Sequence, residues 1–214
     1  MRMEFAELVE ILQGEPVFDT GLLLAGDVNP REIRRQLSRW TKTGKILKFR
    51  RGLYCLAPPF QKVNPHPFLV ANRLLTASYV SLQSALAYYG MIPEHVPTTT
   101  CVTTSRPAYW ETPLGIFEFR HIQLDYFEGF RFVDLGERQR AFVATPEKAL
   151  LDLIYLEPGG DTLDYLTELR LGNLNRLDWQ ILDGLARTIQ KPKLLHAVAT
   201  IRKLAREEGE FESL

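Results

Sequence analysis

Residues 28–54, VNPREIRRQLSRWTKTGKILKFRRGLY, constrain this chain more than any other stretch. They hold nine Lys and Arg against one acidic residue, Glu32. The whole chain has 26 basic and 26 acidic side chains, so the other residues carry 17 and 25. A net +8 segment sits on a net −8 remainder. Charge segregated in this way points to one surface built to meet a polyanion.

The same stretch has a definite local structure. Asn29 is a good N-cap, and Pro30 suits the first helical position, where no amide donor is needed. Ile33, Leu37 and Trp40 recur at helical spacing as one apolar stripe, with Trp40 a core residue. At about 100° per residue, Arg31, Arg35, Ser38 and Lys42 fall opposite that stripe, flanked by Arg34 and Arg39. Gly44 can end the helix in a left-handed conformation. Ile46 to Arg50 and Leu53 to Leu56 are β-prone runs around Arg51-Gly52, the pattern of a hairpin. Upstream, Phe5, Leu8, Val9 and Leu12 predict a first helix. Asp19 or Thr20 can cap a short second one through Leu22 to Leu24. Three helices followed by a basic hairpin is the order of a winged helix-turn-helix.

This order implies a mechanism. The third helix would enter the major groove, where arginine pairs with guanine O6 and N7. Ser38 would touch a base or a phosphate. Lys48, Arg50 and Arg51 would hold backbone phosphates or reach an adjacent minor groove. A basic helix face alone is most often just solvated. Helix, basic hairpin and one-sided charge together favour double-stranded DNA. The DNA-binding set is therefore Arg31, Arg34, Arg35, Ser38, Arg39, Lys42, Lys48, Arg50 and Arg51.

A chain of 214 residues with 45% hydrophobic and 24% charged residues suits one or two ordinary globular domains. Glu4, Glu7 and Glu10 interrupt the amino-terminal apolar stretch, unlike a signal peptide. No window approaches the roughly 18 apolar residues of a membrane-spanning helix. Cys55 and Cys101 are single and distant, so buried reduced thiols and the cytoplasm are expected. The proline-rich run at 57–67 reads as a linker, placing a DNA-binding domain at 1–58, a linker at 59–66 and a second domain at 67–214. Pro67 opens a helix through Leu75, and Ser81 caps another from Leu82 to Tyr89, closed by Gly90. Strands are expected at Thr98–Thr104, Ile116–Ile122, Phe130–Leu135 and Ala141–Ala144. Thr145 and Pro146 begin a strong helix, with Lys148 and Asp152 as an exposed i, i+4 pair worth at most about 0.5 kcal/mol. Helical patterns follow near Leu163–Leu171, Trp179–Arg187 and Leu194–Ala205. The acidic tail, Glu207 to Leu214, is expected to fray. Strands and helices in separate blocks make the class α+β: a winged helix-turn-helix, then a mixed domain with a small sheet and C-terminal helices.

No familiar active site assembles. The chain has neither GxxxxGK(S/T) nor GxGxxG. His66, His95, His121 and His196 lack metal-ligand spacing, and both cysteines are isolated, so no metal or other cofactor is expected. His66, between prolines, is expected to be exposed; His121 and His196 are expected to be packed or solvated. Asp161 and Asp164 sit where acidic residues favour a helix dipole. Thr103, Thr104 and Ser105 have no base beside them and read as strand and turn. The chain is not expected to be an enzyme.

Three motifs resemble the AbiEi antitoxins of bacterial type IV toxin–antitoxin systems. They are GKILKFRRGLYCL at Gly44–Leu56, SYVSLQSALAYYGMIPE at Ser78–Glu94 and ATPEKALLDLIYL at Ala144–Leu156. Their order and spacing fit, so the resemblance covers nearly the whole chain. It implies an N-terminal winged helix, a C-terminal antitoxin domain, promoter binding at inverted repeats, repression of its own operon and neutralisation of a nucleotidyltransferase-like toxin, directly or functionally. It assigns no residue to the antitoxin site. The alternatives are a stand-alone winged-helix regulator whose second domain binds a ligand or partner, and an enzyme with its site among the strands of residues 98–145.

Overall fold

The structure is a computed structural model that describes residues 3–25, 28–94 and 96–211, with the backbone path only for 207–211. His95 and residues 212–214 of the acidic tail lie outside the described residues. Among the described residues, nine α-helices and two sheets form a mixed α+β fold.

Local signals build the amino-terminal part. α1 (Phe5–Leu12) buries Leu8 and Leu12, and the Glu7 carboxylate accepts the Glu4 N–H at its start. β1 is only Phe18–Asp19, and α2 (Thr20–Leu23) is one turn. At the head of α3 (Pro30–Lys42), the Asn29 side chain accepts the Arg31 N–H at 2.9 Å and Pro30 fills the first position. The helix ends because Gly44 adopts φ +68°, which lets the N–H groups of Gly44 and Lys45 reach the carbonyls of Thr41 and Trp40. β2 (Ile46–Arg50) and β3 (Leu53–Leu56) pair antiparallel, with Ile46 opposite Leu56 and Lys48 opposite Tyr54. β1 adds to the other edge of β3, a pairing too short to be seen in the sequence.

This small sheet is covered on both faces. Every residue of β3 is buried. Strand alternation sends Tyr54 and Leu56 into a cluster with Ile33, Leu37 and Trp40, and Leu53 and Cys55 into the larger core with Val70, Tyr79 and Leu150. Val17 and Phe49 join that larger core too. The sheet is therefore a wall shared by both halves. Residues 59–66 are also held down: the Gln139 side chain accepts the His66 N–H at 2.7 Å and donates to the Asn64 carbonyl at 2.9 Å. Prolines there mark the lack of regular structure, and the segment is nonetheless bonded to the second half. His66, expected to be exposed, is half-buried and caps the next helix through Nδ1, which accepts the Phe68 N–H at 3.1 Å.

The second half begins with α4 (Pro67–Leu74), β4 (Ser78–Val80) and α5 (Leu82–Tyr88). β5 (Thr98–Thr103), β6 (Ala108–Thr112), β7 (Gly115–His121), β8 (Phe130–Asp134) and β9 (Arg140–Ala144) complete a six-stranded sheet in the order β6-β7-β5-β4-β9-β8. The sheet is mixed: β5–β7 and β4–β9 run parallel, the other pairs antiparallel. β4 and β6 were not expected. Three residues of β4 cannot display a period of two. In β6 the exposed Tyr109 and Glu111 alternate with half-buried neighbours, but the sequence AYWET does not alternate in polarity.

α6 (Pro146–Leu156), α7 (Leu163–Glu168), α8 (Trp179–Ile189) and α9 (Pro192–Phe211) close the fold. α9 runs through residues expected to fray, as far as Phe211. α6 corrects a sequence expectation. Its Thr145 cap and Pro146 are as predicted, but Lys148 and Asp152 are not on an exposed side: both side chains are 0% exposed. Lys148 Nζ pairs with Asp152 Oδ1, while the hydroxyls of Tyr79 and Ser81 donate to Asp152 Oδ2 at 2.9 and 2.8 Å. Ser81 thus directs its hydroxyl to Asp152 instead of capping α5, where it makes no side-chain cap bond. Burial raises the Asp152 carboxyl above the usual carboxylate range, against the opposing pull of Lys148, Ser81 and Tyr79.

Candidate nucleic-acid interface

α3 carries two chemically distinct faces because its residues repeat at helical spacing. Ile33, Gln36, Leu37 and Trp40 are buried. Arg31, Arg34, Arg35, Ser38, Arg39 and Lys42 are all exposed. From Arg31 to Lys42 the helix rises about 17 Å, so five cations and a hydroxyl line a short, continuous stripe. Among the described residues, one ion pair touches this stripe, Arg35 Nε to Glu32 Oε2 at 3.7 Å, and the Arg35 side chain is still 78% exposed. Such a pair contributes little in water, at most about 1 kcal/mol. Glu32 is shared with Gln36, whose amide donates to it at 3.1 Å.

The hairpin that packs on α3 divides its cations. Lys48 and Arg51 are exposed. Lys45 lies over the Phe5 ring, its Nζ 4.6 Å from the centroid. Arg50 differs from all of these. Its guanidinium donates to the carbonyls of Leu74, Arg73 and Arg51, each at 3.0 Å. The sequence shows a basic hairpin but not which arginine turns towards the second half. Eight of the nine expected DNA-binding residues are therefore exposed, and Arg50 is half-buried with its guanidinium on three carbonyls.

The second half contains a groove of ≈ 650 Å³ that sequence reasoning missed. Leu82, Ile92 and Leu169 supply apolar lining, and Glu118, Glu157 and Arg120 supply charge. Arg120 pairs with Glu157 at 3.2 Å. Burial, then the Glu157 charge, pushes the bordering Tyr165 phenol up to about 12. These residues come from α5 and the segment after it, β7, the residue that follows α6, and α7 and the residue after it, and no local sequence signal links them.

Several other groups singled out in the sequence have ordinary structural surroundings. Burial pushes the Cys55 thiol up to about 11 and raises that of Cys101 further, so both are protonated free thiols. Asp161 lies 3.2 Å from His196 Nδ1, and His121 Nδ1 lies 3.0 Å from the Ser105 carbonyl. Thr103 Oγ1 donates to the Ala77 carbonyl at 2.9 Å, and the Ser105 N–H donates to Thr103 Oγ1 at 3.0 Å. Among the described residues, no three His, Cys, Asp or Glu side chains gather to hold a metal ion, and no helix is long and apolar enough to cross a membrane. No family model matches the chain, and no curated protein does.

Proposed function

We propose that this chain is a DNA-binding transcriptional autorepressor and the antitoxin of a type IV toxin–antitoxin system, acting in the cytoplasm. The observation that carries the DNA-binding part is the exposed stripe of Arg31, Arg34, Arg35, Ser38, Arg39 and Lys42 on α3. In this reading α1 to α3 and the β1-β3-β2 sheet are a winged helix-turn-helix. α3 reads base edges in the major groove, and Lys48 and Arg51 hold phosphates. Little reorganisation is needed, because the cations face water and the helix behind them is packed.

The antitoxin part rests on the resemblance of the three motifs. The second and third meet in space: Tyr79 and Ser81 belong to one, Lys148 and Asp152 to the other, and all four share the buried network. Their co-occurrence thus has a packing reason, and no residue is assigned to the surface that meets a nucleotidyltransferase-like toxin. No residue is assigned a catalytic role.

The test joins two assays on the full chain. A gel shift with the DNA upstream of its own gene should show binding that resists nonspecific competitor and falls steeply with salt. Co-expression with a neighbouring nucleotidyltransferase-like protein should restore growth. Absence of any specific shift defeats the repressor reading. A specific shift without growth rescue favours a second reading, which the ≈ 650 Å³ groove supports: a stand-alone regulator that binds a ligand there.

A further inference from the structure

Arg50 lies within the basic segment yet does something different from its neighbours. The register of β2 against β3 slips between Lys48, opposite Tyr54, and Arg50, opposite Leu53. The residue between them, Phe49, is buried in the larger core. A bulge of this kind re-aims the side chains that follow it. Arg50 is thereby turned onto the end of α4, where Nε and Nη2 donate to the carbonyls of Leu74 and Arg73. These carbonyls belong to the last turn of α4 and have no partner within the helix. A cation there also faces the negative end of the helix dipole. Nη1 donates back to Arg51 at the hairpin turn, so one planar fork joins the turn to the helix end. Beside it, Arg73 of α4 forms an ion pair with Asp19 of β1.

We propose that Arg50 is a positioning residue: it caps α4 from the hairpin and clasps the DNA-reading half to the second half, and so holds the hairpin in place for DNA binding. This rests on the proposed DNA-binding reading, but the clasp itself can be tested apart from it. The small sheet is covered by both cores, and Arg50 fixes its hairpin to the end of α4. The residue therefore leaves the set of phosphate contacts, which keeps Lys48 and Arg51.

The experiment uses the full chain and the variants Arg50→Gln, Arg50→Lys and Lys48→Gln. Binding to the upstream DNA is measured across salt concentrations, and hydrogen exchange is followed over β2, β3 and α4. A clasp predicts that Arg50→Gln weakens binding roughly five- to tenfold, with an unchanged salt slope. Amides at the hairpin and at the end of α4 should exchange faster together. Arg50→Lys should behave like Arg50→Gln, because an ammonium keeps the charge but cannot span three carbonyls with a planar fork. Lys48→Gln should instead lower the salt slope by about one and leave exchange unchanged. Rescue by Arg50→Lys, or a slope lowered by about one in Arg50→Gln, would make Arg50 a phosphate contact and overturn the proposal. Unchanged exchange in both Arg50 variants also overturns it. If the unaltered chain binds no DNA, the functional reading fails, and faster exchange in the Arg50 variants then establishes the clasp alone.

Discussion

α3 and α6 begin alike and end in opposite environments. Each opens on a capping side chain followed by proline: Asn29 and Pro30 in one, Thr145 and Pro146 in the other. α3 buries four of its 13 residues and exposes a charged stripe. α6 buries eight of its 11, every residue from Glu147 to Ile154. A helix buried nearly all round lies in the core of the fold, whereas a one-sided helix lies at its surface. The comparison separates two kinds of information. Capping chemistry acts over three or four residues and is the same in both helices. The fate of a charged side chain depends on what the rest of the chain packs against it. Arg35 and Lys148 are both cations one turn from an acid, yet the first keeps its water and the second has none.

The largest expected effect lies on the buried side of this contrast. Lys148→Met leaves Asp152 in the core without its cation and should destabilise the fold by about 3–5 kcal/mol. Adding Asp152→Leu should recover only part of that loss, because the pair is then apolar but the buried hydroxyls of Tyr79 and Ser81 lose their acceptor. Urea unfolding measures both, and a single variant within about 0.5 kcal/mol of the unaltered protein would erase the distinction from a surface pair. The pair also has a pH signature. Burial holds the Asp152 carboxyl above its unfolded value, so the folded state binds the proton more tightly. The stability from this group falls as pH rises from the unfolded value through the raised one. Asp152→Asn should flatten that part of the stability profile.

On the exposed side the expected loss is in binding. Arg35→Ala should cost about 1–3 kcal/mol at the cognate DNA site, relax specificity there and leave the melting temperature within about one degree, as surface changes do. A melting temperature lowered as strongly as by Lys148→Met would show that the stripe on α3 is structural.

The caps should be the common ground. Asn29→Ala and Thr145→Ala should each cost about 1 kcal/mol, measured by urea unfolding, because each removes one side-chain acceptor from the first turn. Clearly unequal losses would mean that burial alters the worth of a cap. The smallest effect is expected at His66, which caps α4 through neutral Nδ1. Burial lowers its pKa, so its contribution is present at neutral pH and is lost as pH falls below the ordinary histidine value. His66→Asn keeps a capping acceptor without titrating and should remove that acid-side dependence of thermal stability.

Much of this protein was legible in its sequence. Asn29, Pro30, Gly44 and the 3.6-residue spacing of Ile33, Leu37 and Trp40 define α3 and its exposed stripe, because helix ends and faces depend on near neighbours. The hairpin bounds and the helix at Pro146 follow from similarly local rules. Tertiary structure alone decided three other matters. β3 reads LYCL, apolar on both faces, but only the folded chain shows which core covers each face and makes the sheet a shared wall. The i, i+4 spacing of Lys148 and Asp152 is the same in water or in a core, and only Tyr79 and Ser81, some seventy residues away, make it a buried network. Arg50 sits among cations of like character, and the bulge at Phe49 together with the open carbonyls of α4 sets it apart. In each case the deciding partner is distant in sequence, and a local pattern carries no record of what it will meet.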